Sequence, residues 1–479
     1  MRYLKFYIVA ILLIQLQFVF AQTEIEKEIK LGDEYAKMVE AEMGIWDNPG
    51  MQAYINSVGQ RLVSKLDKQP YPYTFQIVDQ WEPNAFSIPG GHVYISRGLI
   101  ILFNNESELA GVLGHEIGHI IEHHSLKIQK RQKRASILAI PAVVIGTLTQ
   151  NKNIENLLML PALGIGKAYL STYGRGQEHD ADKVGQEIAV KAGYDVNGLP
   201  SILLRLEEDI TYLNKGKTHN FSIFDDHPMT PDRVERLNKT SSKYATCART
   251  ADLKAGNDFT KTWNGLLYGP NANEGAFVNN EFIHPQLKLK MLFPTEWVYV
   301  NEKEAVGALT KDQKNLIVLT FAAKGNKADS LQTNAIAKLK QKSLTPESTN
   351  STTINGYHVT QVRYSETDDK GVKTSIWASW IEKDEYTYVL IGQSFKDIEQ
   401  EYTSTLKSIH STTSEDISRI KVTVVRINNV QASDNFENLN KRTGNVWEEK
   451  LFYIVNGVAQ FSELKPEVDV KVLVEENYK

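Results

Sequence analysis

The stretch Gly114-His115-Glu116-Ile117-Gly118-His119, "GHEIGH", decides how the first half of this 479-residue chain is read. Asn105 stands where a helix N-cap would, and Glu108 three residues on makes a capping-box-like pair. Leu109, Val112, Leu113, Ile117, Ile120 and Ile121 continue at helical spacing, so the motif falls on a predicted helix. His115 and His119, at i and i+4, project from one side of it, and their imidazoles can reach a single ion. Glu116 lies one position round, within reach of a water beside such an ion. Two histidines at this spacing also occur on helices that bind nothing. The reading depends on whether the chain supplies a third ligand.

That candidate comes in "GQEHDADKVGQEIAVKAGYD" (Gly176 to Asp195), where Glu178 and Asp182 are again i and i+4 on a predicted helix ending near Gly193. Glu178 can complete a His-His-Glu set, and Asp182 can accept a hydrogen bond from the far nitrogen of a ligating histidine. A helix with paired carboxylates is commonly a solvated face. Small Gly118, Ala181 and Gly185 beside these groups favour close helix packing instead. Of the neighbouring histidines, His123 and His124 continue the first helix but are rotated off the ligand side, and both are expected to be solvated. His179 points elsewhere on its helix. His92, after the Gly90-Gly91 turn, is a candidate substrate contact.

Four segments stand in order: "NAFSIPGG" (Asn84 to Gly91), "HEIGH" (His115 to His119), "EHDAD" (Glu178 to Asp182) and "HPMTPDR" (His227 to Arg233). Together they resemble the zinc metallopeptidase family of the CAAX prenyl proteases and the HtpX heat-shock proteases. Within it they are most similar to the soluble periplasmic branch of β-barrel-assembly-enhancing proteases. The resemblance spans roughly Glu24 to Leu237. It implies that His115, His119 and Glu178 bind one Zn2+ per subunit, that Glu116 is the general base, and that Asp182 supports a ligand from behind. It also implies that His227 and Arg233 sit beside the active site and steady the negative charge of the tetrahedral intermediate. A histidine at the position of His227 can, in such a family, take the open metal position and give a latent form. From its residues alone, "DDHPMTPDR" is a polar turn before a helix. The implied activity is endopeptidase cleavage of unfolded or misassembled envelope polypeptides, held as an added strand along Phe86 to Ile95. A two-histidine, one-glutamate set also accepts cobalt or manganese.

The rest of the chain sets the context. "MRYLKFYIVAILLIQLQFVFAQ" has the basic start, short apolar run and Val19-Phe20-Ala21 of a secretory signal peptide, which predicts cleavage after Ala21 and a periplasmic protein secreted across the inner membrane. The single cysteine, Cys247, excludes an intramolecular disulfide framework and a cysteine-rich metal site. A net charge of −4 gives no reason to expect nucleic acid as a partner. Between the two motif helices lie basic "KIQKRQKR" (Lys127 to Arg134) and two apolar runs broken by Pro141 and Pro161, too short to span a bilayer. Residues 136–170 are therefore expected as buried helices, with a lipid-facing hairpin and peripheral membrane contact as the rival.

The expected fold class is α+β. Residues 1–21 read as signal peptide, and 22–268 as a mainly helical zincin-type catalytic domain with a small β-sheet. A linker over 269–280 leads to an α/β sandwich over 281–412 and a degenerate LysM-like module over 413–479. "LFPTEWVYVN" (Leu292 to Asn301) resembles the opening of photosystem-subunit-like sandwich domains. His284, His358 and His410 are expected to be ordinary structural or surface residues. Peptidoglycan is the ligand a LysM-like module implies, with packing between domains as the alternative. Envelope assembly machinery is a further implied partner. The rival to an active protease is a latent one acting mainly as a chaperone-like or cell-wall-binding protein.

Overall fold

The computed structural model describes residues 24–124, 173–214, 227–229, 232–244, 257–303, 305–341, 345–367 and 373–479. The signal-peptide reading, Cys247 and the segment 136–170 lie outside them. Among the described residues no helix is long and apolar enough to cross a membrane. The architecture is α+β, in two compact units.

The first unit joins Met1–Arg134, Ser171–Gly269 and Thr423–Glu476. Helix α1 covers 24–43. Helix α2 (Pro49–Val63) starts at Asn48, whose side chain accepts the Met51 N–H, and buries Met51, Ile55, Val58 and Leu62 along one stripe. Strands β1 (Thr74–Val78), β2 (Ala85–Ile88) and β3 (His92–Ser96) form a sheet in the order β1-β3-β2. β1 runs parallel to β3 and β2 antiparallel to it, which leaves β2 at an edge. Gly90 and Gly91, with φ of 83° and 98°, make the reversal between β2 and β3 in a region that other residues rarely adopt.

Helix α3 (Glu106–Ile121) carries the opening motif. The Asn105 side chain accepts the Glu108 N–H at 3.0 Å, and the Glu108 carboxylate accepts the Asn104 N–H at 2.7 Å. The cap is thus the expected one, displaced by one residue at its second bond. α3 is buried on every side as far as Ile120, the pattern of a central helix. Helix α4 (Arg175–Lys191) lies against it at backbone contact. A Cβ on Gly114 would come within 2.9 Å of the Gly185 carbonyl oxygen, and one on Gly118 within 2.8 Å of that of Ala181. Helices α5 (Gly198–Asn214) and α6 (Arg233–Lys243) complete this part.

The second unit contains Pro270–Val422. Residues 269–280, expected as a linker, hold strand β5 (Ala276–Val278), which pairs in a three-stranded sheet with β6 (Glu281–His284) and β7 (Leu289–Leu292). β8 (Val298–Glu302), β9 (Ala305–Leu309), β10 (Leu316–Lys324), β11 (Ser348–Ile354), β12 (Tyr357–Thr367), β13 (Lys373–Lys383) and β14 (Tyr386–Ser394) form a seven-stranded antiparallel sheet. Its strands alternate as the two-residue period requires. Ile376, Ala378 and Trp380 pack with helix α7 (Ala328–Lys340), whereas Trp377 and Ile381 belong to the core that includes helix α8 (Glu399–Lys407) and β6–β7.

The C-terminal segment returns to the first unit. β15 (Lys421–Asn429) pairs with the short β4 (Leu267–Tyr268) and with β16 (Asp469–Asn477). With helices α9 (Phe436–Thr443) and α10 (Glu449–Asn456), it contributes Val425, Leu439, Trp447, Phe452 and Val472 to the same core as Leu99, Phe103 and Leu206. Residues 423–476, most of the segment expected as a terminal module, thus share a hydrophobic core with the motif helices.

Candidate metal centre

The close approach of α3 and α4 sets the site. His115 and His119 come from α3, Glu178 from the first turn of α4, and His227 from just before α6. All four are buried, and one ligand-type atom from each lies within 4.8 Å of the others. His119 Nε2 is 3.0 Å from His115 Nε2 and 3.4 Å from a Glu178 oxygen. His227 Nδ1 is 3.2 Å from His115 Nε2 and 3.1 Å from Glu178. Glu116 Oε1 lies 3.5 Å from His227 Nε2. Glu116 Oε2 and His227 Nε2 are buried with no hydrogen-bond partner among the described residues.

The electrostatics suit a cation. Burial raises the cost of ionising Glu178, but His227 and His115 hold it well below the usual carboxylate range. Burial and the neighbouring histidines His115 and His227 hold His119 neutral, against the hydrogen bond it can donate to Glu178. Burial presses His227 towards neutrality too, yet Glu178 and Glu116 lift it to about 9. The carboxylates therefore favour one positive charge among them, a demand that a divalent cation meets with neutral histidines and ionised Glu178. Nitrogen and carboxylate donors of this kind, with unpartnered atoms turned inward, fit zinc.

Behind the cluster, an Asp182 oxygen lies 2.9 Å from His115 Nδ1. Burial pushes its carboxyl up, but Arg233 and His115 hold it below the ordinary range. Arg233 lies against the Glu178 and Asp182 carboxylates of α4. Its Nε and Nη2 donate to Asp182 at 3.0 and 2.8 Å, and its Nη1 meets Glu178 at 2.7 Å and the His227 carbonyl at 3.5 Å. With all three nitrogens engaged, the guanidinium holds the carboxylates in place.

The histidines split. His179 is exposed, as expected. His92 is buried, its Nδ1 3.0 Å from the Thr74 hydroxyl and its Nε2 3.3 Å from the Asp33 carboxylate. His123 is half-exposed beside Glu28. His124, expected to be solvated, is 1% exposed, and its Nδ1 lies 2.9 Å from His119 Nδ1. The helix ends at Ile121 and His123 takes a left-handed φ of 52°, which turns His124 back under His119. Tyr173, which sequence reasoning passed over, stacks on the His119 ring at 3.8 Å.

Comparison with known proteins bears on this geometry. The sequence model of peptidase family M48 matches residues 49–241. A beta-barrel assembly-enhancing protease of Yersinia pestis is 30% identical over 206 residues, 41% of this chain and 40% of that one. One of Escherichia coli K12 is 27% identical over 214 residues, 44% of this chain and 43% of that one. The chain thus spans less than half the length of these proteases. A solution structure of cyanobacterial PsbP from Synechocystis aligns with 29% of this chain and 95% of that one, at 10% identity and a TM-score of 0.24, too low to bear on the fold. The family match takes in every motif that shapes the cluster, from Asn84 to Arg233, so this segment is similar in sequence to peptidase family M48.

Proposed function

We propose that this chain is a zinc-dependent endopeptidase of the periplasm, with unfolded or misassembled envelope proteins as substrates. The observation that carries the reading is the buried His115, His119, Glu178 and His227 group with Glu116 against it. In this reading His115, His119 and Glu178 hold the ion. Bound zinc supplies Lewis-acid activation of water and polarisation of the scissile carbonyl. Glu116, with one oxygen unpartnered, takes the proton from the attacking water as its oxygen bonds to the carbonyl carbon. It returns that proton to the nitrogen as the C–N bond breaks, and the second water proton follows from the acid to the new amine, so one water is consumed and a carboxylate and an ammonium group are formed. Asp182 and Arg233 fix the ligands in place. His227, its Nε2 3.5 Å from Glu116, is a donor close enough to meet developing negative charge. β2, last in the order of its sheet among the described residues, suits a strand-like substrate read through its backbone and therefore with loose sequence preference.

His227 also favours a second state. Standing in the ligand cluster, it can complete the coordination and hold the enzyme latent, as a binder of unfolded chains. The names of the relatives support envelope assembly as the setting. The test is cleavage of an unfolded protein by the parent and by Glu116→Gln, with zinc content determined in both. Equal zinc and a loss of about 10²–10⁴-fold in rate is the expected outcome. Equal rates would remove Glu116 as the base. Failure of both to cut with zinc bound would favour latency, and His227→Ala should then gain activity.

A further inference from the structure

The two histidines of the motif are supported from behind by different chemistry. His115 turns Nε2 into the cluster and Nδ1 to the Asp182 carboxylate at 2.9 Å. His119 also turns Nε2 inward, but its Nδ1 meets another imidazole, Nδ1 of His124, at 2.9 Å. We infer that His124 is a positioning residue, the neutral hydrogen-bond acceptor that fixes the tautomer and orientation of His119. This rests on the metal-site reading above.

The argument is a count of protons. A neutral imidazole carries one N–H. If His119 presents the Nε2 lone pair to an ion, its proton is on Nδ1, and the atom 2.9 Å away must accept it. His124 Nδ1 is then an acceptor, and the His124 proton sits on Nε2. A nitrogen of His124 also lies within 4.8 Å of carboxylate oxygens of Glu122 and Asp180, a grouping that could itself hold a cation. The proton count opposes that use, because the nitrogen not facing His119 carries a hydrogen. It suits donation to a carboxylate instead. The local backbone serves the same end. The disfavoured left-handed turn at His123 brings the next side chain back beneath the helix, where it is 1% exposed. Tyr173, stacked on His119, leaves the hydrogen bond to His124 to set the ring's rotation within that plane.

Full-length parent, His124→Leu, His124→Asn and His115→Ala would be compared for zinc affinity by competition with a chromophoric chelator. Metal-free thermal melts would check the fold. The side-chain oxygen of asparagine can accept where Nδ1 did. His124→Leu should weaken zinc by 10–100-fold, the usual effect of losing a partner behind a ligand, while His124→Asn stays within about threefold of the parent. Nitrogen-15 spectra of the zinc-loaded parent, which need no variant, should show Nδ1 protonated in His119 and Nε2 protonated in His124. Equal loss in both variants, no loss in either, or a proton on His124 Nδ1 would overturn the inference. So would a second zinc equivalent that disappears with His124. If zinc binds and is lost only in His115→Ala, this inference alone fails; if the parent binds none, the metal-site reading fails with it.

Discussion

Helix α3 buries charge at both of its ends, and the ends are built differently. At the N-terminal end Glu106 accepts from the Tyr54 hydroxyl, Arg61 at 3.0 Å and the Tyr194 hydroxyl at 3.0 Å. Glu108 takes two bonds from Arg205, at 2.7 and 3.0 Å, and others from Ser201 and the Asn104 N–H. Both carboxylates there are paired within the protein. At the C-terminal end Glu116 and His227 each keep a buried atom without a hydrogen bond, among groups of opposed charge. Burying such atoms costs free energy unless something outside the chain completes them. The first end is a strut; the second is a receptor.

The sharpest test of that difference is to remove one glutamate from each end. Glu178→Ala should leave the protein without zinc at concentrations that saturate the parent. Glu108→Ala should keep its zinc and lose about 3–5 kcal/mol of stability, because Arg205 would stay buried without its partner. Urea unfolding of the metal-free proteins, with zinc content alongside, reads both. Retained zinc in Glu178→Ala, or a Glu108→Ala as stable as the parent, would break the comparison.

A further buried carboxylate sharpens it. Asp209 on α5 is buried, and burial alone lifts its pKa to about 7. In the unfolded chain it titrates near about 3.9. The folded protein therefore binds more protons between those values, and the contribution of Asp209 to stability is full below about pH 4 and lost as pH rises to about 7. The slope approaches about 1.4 kcal/mol per pH unit. Asp209→Asn should flatten the pH dependence of urea stability across this window. If parent and variant change in parallel, Asp209 has a partner that the buried site does not show.

The legible parts of this architecture are local or small. The 3.6-residue period and the Asn105 cap locate α3, and Gly118, Ala181 and Gly185 foretell the contact that brings Glu178 and Asp182 to the histidines. His124 escapes because helical phase carries it away from the site, and only the left-handed turn at His123 undoes that rotation. The engagement of Arg233 escapes because a motif names a residue without saying which of its donors are already spent. The C-terminal segment escapes for a different reason. "VDVKVLVEE" (Val468 to Glu476) alternates like a half-exposed strand, which puts Lys471 on the expected wet face.

Lys471 is instead 1% exposed, and its Nζ donates to the carbonyls of Ile101 at 2.7 Å and Phe103 at 2.8 Å. Those carbonyls follow the short helix Arg97–Ile100, where the chain runs out of N–H groups to offer them. A strand near the C-terminus thus finishes a helix end next to the motif helix. The amine can donate in either protonation state. Burial and the charge of Arg205 hold its pKa well below the ordinary lysine value, against the pull of Glu108. The unfolded chain then binds more protons between that depressed value and about 10.4, so this residue adds stability as pH rises through the window. Lys471→Met keeps the apolar stem and leaves two carbonyls unanswered, at a cost of about 1–3 kcal/mol. It should also flatten the rise with pH. A terminal module that merely binds cell wall would not respond this way. If Lys471→Met unfolds 423–476 alone and leaves the melting of the zinc-loaded helices unchanged, the segment is an appendage. If both melt together and earlier, it is the far wall of the catalytic unit.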